Sequence, residues 1–387
     1  DTEVWKPVKL TEKNAVVYGL NTVIIRKKPL EEPARGTGQK ELAEEVLDAG
    51  LCTGCGACVG LCPYQAIHGD STVALHRCDI KTGRCWAFCP RTKADLAALR
   101  RHAAPDADWT ESLGPVRGFY LCRARDGANR KAGQHGGTVT ALVQLALREG
   151  LIAAAVLTGS GERLLPRPLT VTDPGKVPAT GKSGFVVSPV LAEFNRAAQE
   201  GTGLIGLVAT PCQALSVAKR RKAGRSLEDR AVDRLGLVVG LFCGWALSWR
   251  GLAGLLAGRL DPDAISAMDI PPSKYHRLEV SAQGTPLHIP LDEVLPIVRR
   301  SCLSCDDMTA EYADLSVGSA RLPEGWDEAR QWNQMIVRTP RGEELVELAR
   351  RRGTLEFREV PEGNLERLKN ASLKKKQAAR EADTKRP

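Results

Sequence analysis

From about residue 117 the chain alternates two textures. Short runs are apolar at nearly every position, and longer runs place apolar residues at helical spacing. GFYLCRAR (118–125), LIAAAVLTG (151–159), LIGLVAT (204–210) and LGLVVGLF (235–242) read as strands. GGTVTALVQLALREG (136–150), SPVLAEFNRAAQEG (188–201), QALSVAKRRKAG (213–224) and SWRGLAGLLAGRL (248–260) read as helices. The first opens on two glycines and closes on Gly150. The second offers Ser188 as N-cap with Pro189 in the first turn. Apolar strands alternating with helices predict a mainly parallel sheet covered on both faces. From about 262 the strands shorten to HRLEVSAQ (276–283) and TPLHIPL (285–291), with NQMIVRT (333–339) later, which predicts a smaller mixed domain. The fold class expected is therefore α/β plus α+β.

Ahead of this region the pattern is weaker. NTVIIRKK (21–28) is strand-like, KADLAALRRHAA (93–104) helix-like, and APDADWTESLGP (104–115) linker-like. The division read from these cues is an extension 1–45, a cysteine-rich unit 46–92, a linker 93–116, two parts of a larger domain 117–205 and 206–365, and a basic tail 366–387. The lysine-rich end is expected to be a mobile helix or disordered.

Composition sharpens the picture through cysteine. The 387 residues include twelve, clustered at metal-ligand spacings rather than spread as a disulfide framework. The start, DTEVWKPVKLTEK, has no leader pattern, so a reducing, cytoplasmic setting is expected. The longest apolar run, LGLVVGLFCGWAL (235–247), falls short of the roughly 20 residues a membrane span needs. Net charge is +9, part of it in the tail. An anionic cofactor or acidic protein fits that charge better than nucleic acid, for which no motif is present.

CTGCGACVGLCP (52–63) supplies Cys52, Cys55, Cys58 and Cys62 in the spacing of a bacterial ferredoxin half, and HRCDIKTGRCWAFCP (76–90) ends like a second half. In such pairs the fourth cysteine of each run crosses to the other cluster. Cluster one is then Cys52, Cys55, Cys58 and Cys89. Cluster two takes Cys62 and Cys85, and its register points to positions 79 and 82, which are Asp79 and Thr82. Cys78, one residue early, is the expected third ligand. Asp79, another oxygen donor or nothing completes the set, leaving a [4Fe–4S] cluster with a non-cysteine ligand or a [3Fe–4S] cluster. Zinc is the competing reading. Cys122 reads as a buried strand thiol.

Four more cysteines lie downstream. Cys212 follows one buried strand, Cys243 ends the next, and Cys302 and Cys305 form SCLSC (301–305). The first two sit at the carboxyl edge of the sheet, where sites gather in open α/β folds. Alone, these four are compatible with small buried hydrophobes plus a zinc or redox pair. Two phosphate-loop lookalikes fail on context: GTGLIG (201–206) precedes a strand, and GKVPATGKS (175–183) has the wrong spacing. The GGTVT turn is the better candidate for a pyrophosphate, through Gly136, Gly137, Thr138 and Thr140, with an ordinary tight turn as the competing reading. Lys182, Ser183 and Ser188 are weaker candidates for cofactor contacts. His135, beside the glycines, reads as exposed or structural.

GQHGGTVTALVQLALREGLI, GKSGFVVSPVL, LVATPCQALSVAKRR, GLFCGWALSW, MDIPPSK, SCLSCDDMTAEYADLSVGS, EGW and NLERLKNASLKKK occur in one order over roughly 117–376. They resemble the beta subunits of the coenzyme F-420-reducing hydrogenase and of F-420-dependent formate dehydrogenase. The resemblance implies an FAD-containing iron–sulfur subunit, with cluster ligands carried onto Cys212, Cys243, Cys302 and Cys305. That makes two or three clusters in all. It implies hydride exchange between FAD and F-420, or alternatively NADH, and single electrons passed to partner subunits of a larger complex. A stand-alone reductase of a small molecule, using ferredoxin or F-420, and a flavin-free electron carrier are the other function classes. The departure from longer relatives is in the ferredoxin part, which has seven cysteines instead of eight.

Overall fold

The computed structural model describes residues 36–384 apart from 183, 202 and 283–284. The strand expected at 21–28 and the site residue Ser183 lie outside the described residues.

The ferredoxin region contains one antiparallel hairpin, β1 (Gln65–His68) and β2 (Ser71–Ala74). Helix α1 (Leu96–Ala103) follows, capped by the Asp95 side chain on the Ala98 N–H. The main sheet uses β3 (Gly118–Ala124), β4 (Ala154–Gly159), β5 (Arg167–Val171), β6 (Ile205–Ala209) and β7 (Leu235–Leu241). A separate antiparallel sheet is built from β8 (Ile265–Asp269), β9 (Arg277–Ala282) and β10 (Thr285–Pro290). The main sheet is completed by β11 (Leu315–Ser319), β12 (Asn333–Val337) and β13 (Leu355–Arg358). Its helices are α2 (Thr138–Arg148), α3 (Val190–Gln199), α4 (Pro211–Ala223), α5 (Trp249–Leu256), α6 (Pro340–Arg351) and α7 (Asn364–Thr384).

The eight strands run in the order β13-β3-β12-β11-β7-β6-β4-β5. The four consecutive strands β11, β7, β6 and β4 are parallel. Every pairing outside them is antiparallel. The sheet is thus mixed, a correction to the mainly parallel expectation. Burial pattern reveals that a strand is covered, but not which way it runs. The β4–β5 connection also leaves no room for the dozen or so residues a parallel crossover needs. The separate three-stranded sheet β8–β10 is antiparallel, and NQMIVRT, expected alongside its strands, is β12 of the main sheet instead.

Two cores cover the sheet. On one face α2 and α6 bring Leu142, Leu145, Leu345 and Val346 against the strands. On the other α3 and α4 bring Leu191, Phe194, Ala214 and Val217, joined by Cys55, Ala57 and Phe88 of the ferredoxin region. That region is therefore part of the second core. The stretch expected as a linker is packed too. Leu113 is fully buried, and the Arg338 guanidinium donates to the carbonyls of Leu113 and Pro115 at 2.5 and 2.9 Å. Polar composition hid this because the segment is held by backbone carbonyls, which every residue has. The tail also departs from expectation. It is a helix, but a docked one, with Ser372 and Ala379 buried and Lys376 paired with buried Glu311 at 2.6 Å.

Among the described residues no helix is long and apolar enough to cross a membrane.

Candidate functional site

At the carboxyl ends of β4, β6, β7 and β11 the sheet opens into a cavity of about 820 Å³, within the size range of cofactor sites. Its lining includes Gly137, Thr138 and Thr140 from the start of α2, Lys182, and Ser188. It also includes Cys212, Cys243, Cys302 and Cys305. Gly136 lies behind the turn instead. A side chain there would meet Asn333 Oδ1 at 2.9 Å and Arg123 Cβ at 3.0 Å. Gly137 is required by the chain itself, since its φ is 72° and a Cβ would come within 2.4 Å of the Asn129 carbonyl oxygen. The Thr138 N–H donates to Asn333 Oδ1 at 3.3 Å.

Ser188 does not cap α3. The helix begins at Val190 with Pro189 as N-cap, and the Leu191 N–H donates to the Cys55 carbonyl at 3.1 Å. The ferredoxin loop thus takes a donor that sequence reasoning assigned to a serine. The Ser188 carbonyl accepts from Gln213 Nε2 at 2.7 Å, while its buried hydroxyl has no protein partner. Ser301 Oγ, Gln334 Oε1 and Asn364 Oδ1 are likewise buried without a partner, and all three residues line the cavity. Unsatisfied buried polar atoms are costly and rare in a native fold. Four around one cavity fit a polar cofactor that supplies their partners, as the chemistry of an FAD would.

His135 is buried, which removes the exposed reading. Its Nδ1 lies 3.1 Å from Ser319 Oγ and its Nε2 lies 3.4 Å from Asp269 Oδ2. Burial would raise the Asp269 carboxyl, but His135, Gln134 and the Ile270 N–H outweigh it and hold the group below its ordinary value.

The other wall is built from thiols. Cys212 sits in the first turn of α4, whose Thr210 N-cap and Gln213 form a capping box. Cys243 is fixed by its N–H on the Met308 carbonyl at 2.9 Å. The Ala246 N–H donates to Cys302 Sγ at 3.3 Å, and the Cys305 thiol donates to the Asp307 carbonyl at 3.5 Å. Burial pushes the thiols of Cys212, Cys243 and Cys305 well up, and neighbouring thiolates of the same set push further. A ligand set must nevertheless be thiolate. Thiols that resist ionisation alone are what a cationic iron–sulfur core would stabilise. Lys375, on the tail helix, donates to the carbonyls of Cys243 and Asp307 at 2.8 and 2.9 Å. The surrounding thiolates outweigh its burial and raise its affinity for the proton.

The ferredoxin cysteines fall into two further groups. Burial, then Cys89, pushes Cys55 up to about 12. Burial also raises Cys58, and Cys55, Cys89 and Cys52 add to it. Cys85 is pushed up to about 11, by burial and then by Cys62 and Cys78. Cys78 is thus a neighbour of Cys62 and Cys85, its N–H held by Gln39 Oε1 at 2.8 Å, and Asp79 is exposed in the same loop. Thr53, Pro90 and Arg91 also line the cavity, so the loops carrying the first ferredoxin set adjoin the cavity set. The thiols are neighbours and not a closed single-ion shell: among the described residues no three His, Cys, Asp or Glu side chains converge on one ion-sized point. Cys122 is fully buried against Thr138.

Residues that sequence reasoning missed brace this arrangement. The Lys219 ammonium donates to the Cys89 carbonyl at 2.5 Å and to Thr92 Oγ1 at 2.7 Å. Arg299 pairs with Asp70 and donates to the Cys52 carbonyl at 2.6 Å. The LKKK run of the tail was the only available signal for Lys375, and nothing marked Arg299.

Residues 119–194 match the family model for the N-terminal part of the coenzyme F-420 hydrogenase/dehydrogenase beta subunit, and residues 203–363 match the model for its C-terminal part. Together they span more than half of the chain. Residues 45–68 match a 4Fe–4S binding domain. The coenzyme F-420 hydrogenase beta subunit of Methanothermobacter thermautotrophicus is 29% identical over 276 residues, covering 69% of this chain and 94% of the relative. One of the F-420H2 dehydrogenase subunits of Methanosarcina mazei is 25% identical, covering 83% of this chain and 88% of that one. The coenzyme F-420-dependent sulfite reductase of Methanocaldococcus jannaschii is 26% identical, covering 86% of this chain but 50% of that protein. A chain of the F-420-reducing [NiFe] hydrogenase complex of Methanosarcina barkeri has a TM-score of 0.65 at 22% identity, over 71% of this chain and 93% of that one, which shows a shared fold. The chain therefore belongs to the coenzyme F-420 hydrogenase/dehydrogenase beta subunit family of oxidoreductases, with a 4Fe–4S ferredoxin region ahead of the family domain.

Proposed function

We propose that this chain is an FAD- and [4Fe–4S]-containing subunit that connects a two-electron carrier to a one-electron chain in a larger complex. The observation that carries the reading is a single cavity lined by the Gly137–Thr140 helix start on one side and by Cys212, Cys243, Cys302 and Cys305 on the other. FAD, when bound, supplies the conversion between a hydride's electron pair and single electrons. The protein's own residues hold and orient it. Thr138, Thr140, Lys182 and Ser188 offer polar contacts, and Ser301, Gln334 and Asn364 offer buried polar atoms with no protein partner. Cys212, Cys243, Cys302 and Cys305 hold the cluster beside it. Cys52, Cys55, Cys58 and Cys89 hold the next, and Cys62, Cys78, Cys85 and, as the fourth donor, Asp79 hold the outermost.

The two-electron carrier is F-420, in keeping with the relatives' names, with NADH as the alternative. The names of those relatives also support partner subunits of hydrogenase or dehydrogenase type. The test is rapid anaerobic mixing with reduced F-420, and separately with NADH, while following flavin absorbance. Bleaching by F-420 alone supports the assignment, and bleaching by NADH alone moves the chain to nicotinamide. Flavin that neither donor reduces refutes hydride entry at this cavity. A stand-alone reductase is the second reading, favoured by the match to half of the F-420-dependent sulfite reductase. It requires turnover of a small molecule without any partner.

A further inference from the structure

We propose that Lys375 is a positioning residue that sets the electron affinity of the cluster held by Cys212, Cys243, Cys302 and Cys305. This rests on the third-cluster reading. The tail presents three consecutive lysines, and the fold separates their roles. Lys374 is exposed. Lys376 is buried and spent on Glu311 at 2.6 Å. Of the three, Lys375 is the one that lines the cavity, where its ammonium bridges the carbonyls of Cys243 and Asp307 at 2.8 and 2.9 Å. It thus ties together the two loops that carry Cys243 and Cys305. The helix cannot easily withdraw it, because the Ser372 hydroxyl donates to the Ser112 carbonyl at 2.5 Å one turn earlier on the same helix. The position is built, and it places a cation against a cluster of thiolates.

The physical consequence has a definite sign. A cluster with four thiolate ligands is an anion, and reduction adds one electron and one more negative charge without a proton. A fixed cation beside it in a poorly polarisable interior stabilises the reduced form more than the oxidised form. Net charge and hydrogen bonding around the sulfurs are the protein's main levers on such potentials. Lys375 therefore makes this cluster a better acceptor for electrons leaving the cavity.

The experiment is an EPR-monitored reductive titration with dithionite of the full chain carrying its clusters. Wild type is compared with Lys375→Gln, Lys375→Met and Lys375→Arg. The cluster's signal is assigned by its loss in Cys305→Ala. Lys375→Gln and Lys375→Met are expected to shift that midpoint to more negative potential while the other midpoints stay. Lys375→Arg is expected to hold it near wild type. An unmoved midpoint in the Gln and Met variants overturns the proposal. Loss of the signal in both, with retention in Arg, also overturns it, since Lys375 is then only a brace for the two loops. If Cys305→Ala removes no signal, the third-cluster reading itself fails and this inference falls with it.

Discussion

The Arg299–Asp70 pair is the sharpest test of how the ferredoxin region is fastened to the cavity. Arg299 lies three residues before Cys302, and Asp70 lies at the hairpin turn between β1 and β2. Their side chains are 8% and 16% exposed, so the pair is withdrawn from water. Arg299 also donates to the Cys52 carbonyl at 2.6 Å, and Asp70 also accepts the Trp249 N–H at 3.0 Å. Arg299→Met strands a buried carboxylate. Breaking such a pair typically costs about 3–5 kcal/mol. The remaining Trp249 N–H places the expectation at the lower end, ~3 kcal/mol. Asp70→Asn leaves the guanidinium with its carbonyl acceptor and should cost less, about 1.5–3 kcal/mol. The double variant should cost less than the sum, because each single change leaves the other group unpaired. A loss of ~3 kcal/mol weakens docking by roughly a hundredfold. Urea unfolding of the four proteins in a double-mutant cycle measures the coupling. Flavin-to-ferredoxin electron transfer after rapid mixing measures the functional loss. Additive effects within ~0.5 kcal/mol, with transfer unimpaired, would refute the role assigned to the pair.

Other outcomes follow from the same geometry. Asp79→Ala should change the iron content or spectrum of the outermost cluster, and an unchanged protein removes Asp79 from the ligand set. Gly137→Ala forces a side chain to φ 72° against the Asn129 carbonyl. It should cost at least the ~1–2 kcal/mol of a left-handed residue and reduce flavin retention on purification, while full flavin content would argue against the helix-start site. Burial, then Asp307, pushes Glu311 up to about 7 despite its pairing with Lys376. A carboxyl raised on folding contributes most stability at low pH and loses it as pH rises through the folded value. Stability should therefore fall between about pH 4.5 and 7 more steeply in wild type than in Glu311→Gln, and parallel pH profiles would contradict this. Ser188→Ala should weaken flavin binding without lowering the stability of flavin-free protein, since its buried hydroxyl has no protein partner to lose. Calorimetry with added FAD reads both quantities.

What the sequence determined by itself is chemistry that depends on local spacing. The ferredoxin run and the placement of Cys212 and Cys243 after buried strands both depend on neighbours a few residues apart. The strands and helices from 118 to 256 were legible for the same reason, because a covered strand or amphipathic helix leaves its period in the chain. Strand β5 was not, since an edge strand carrying Pro168 needs no apolar run. Direction was not legible either: β12 is as buried as the parallel strands yet pairs antiparallel with both its neighbours. The tertiary structure alone decided which distant groups meet. It brought Cys302 and Cys305 to Cys212 and Cys243, turned a lysine-rich tail inward at Lys375, and set Arg299 on Asp70. These contacts join residues tens to hundreds of positions apart. Each depends on a backbone carbonyl, an ion pair or a thiol whose partner no local pattern encodes.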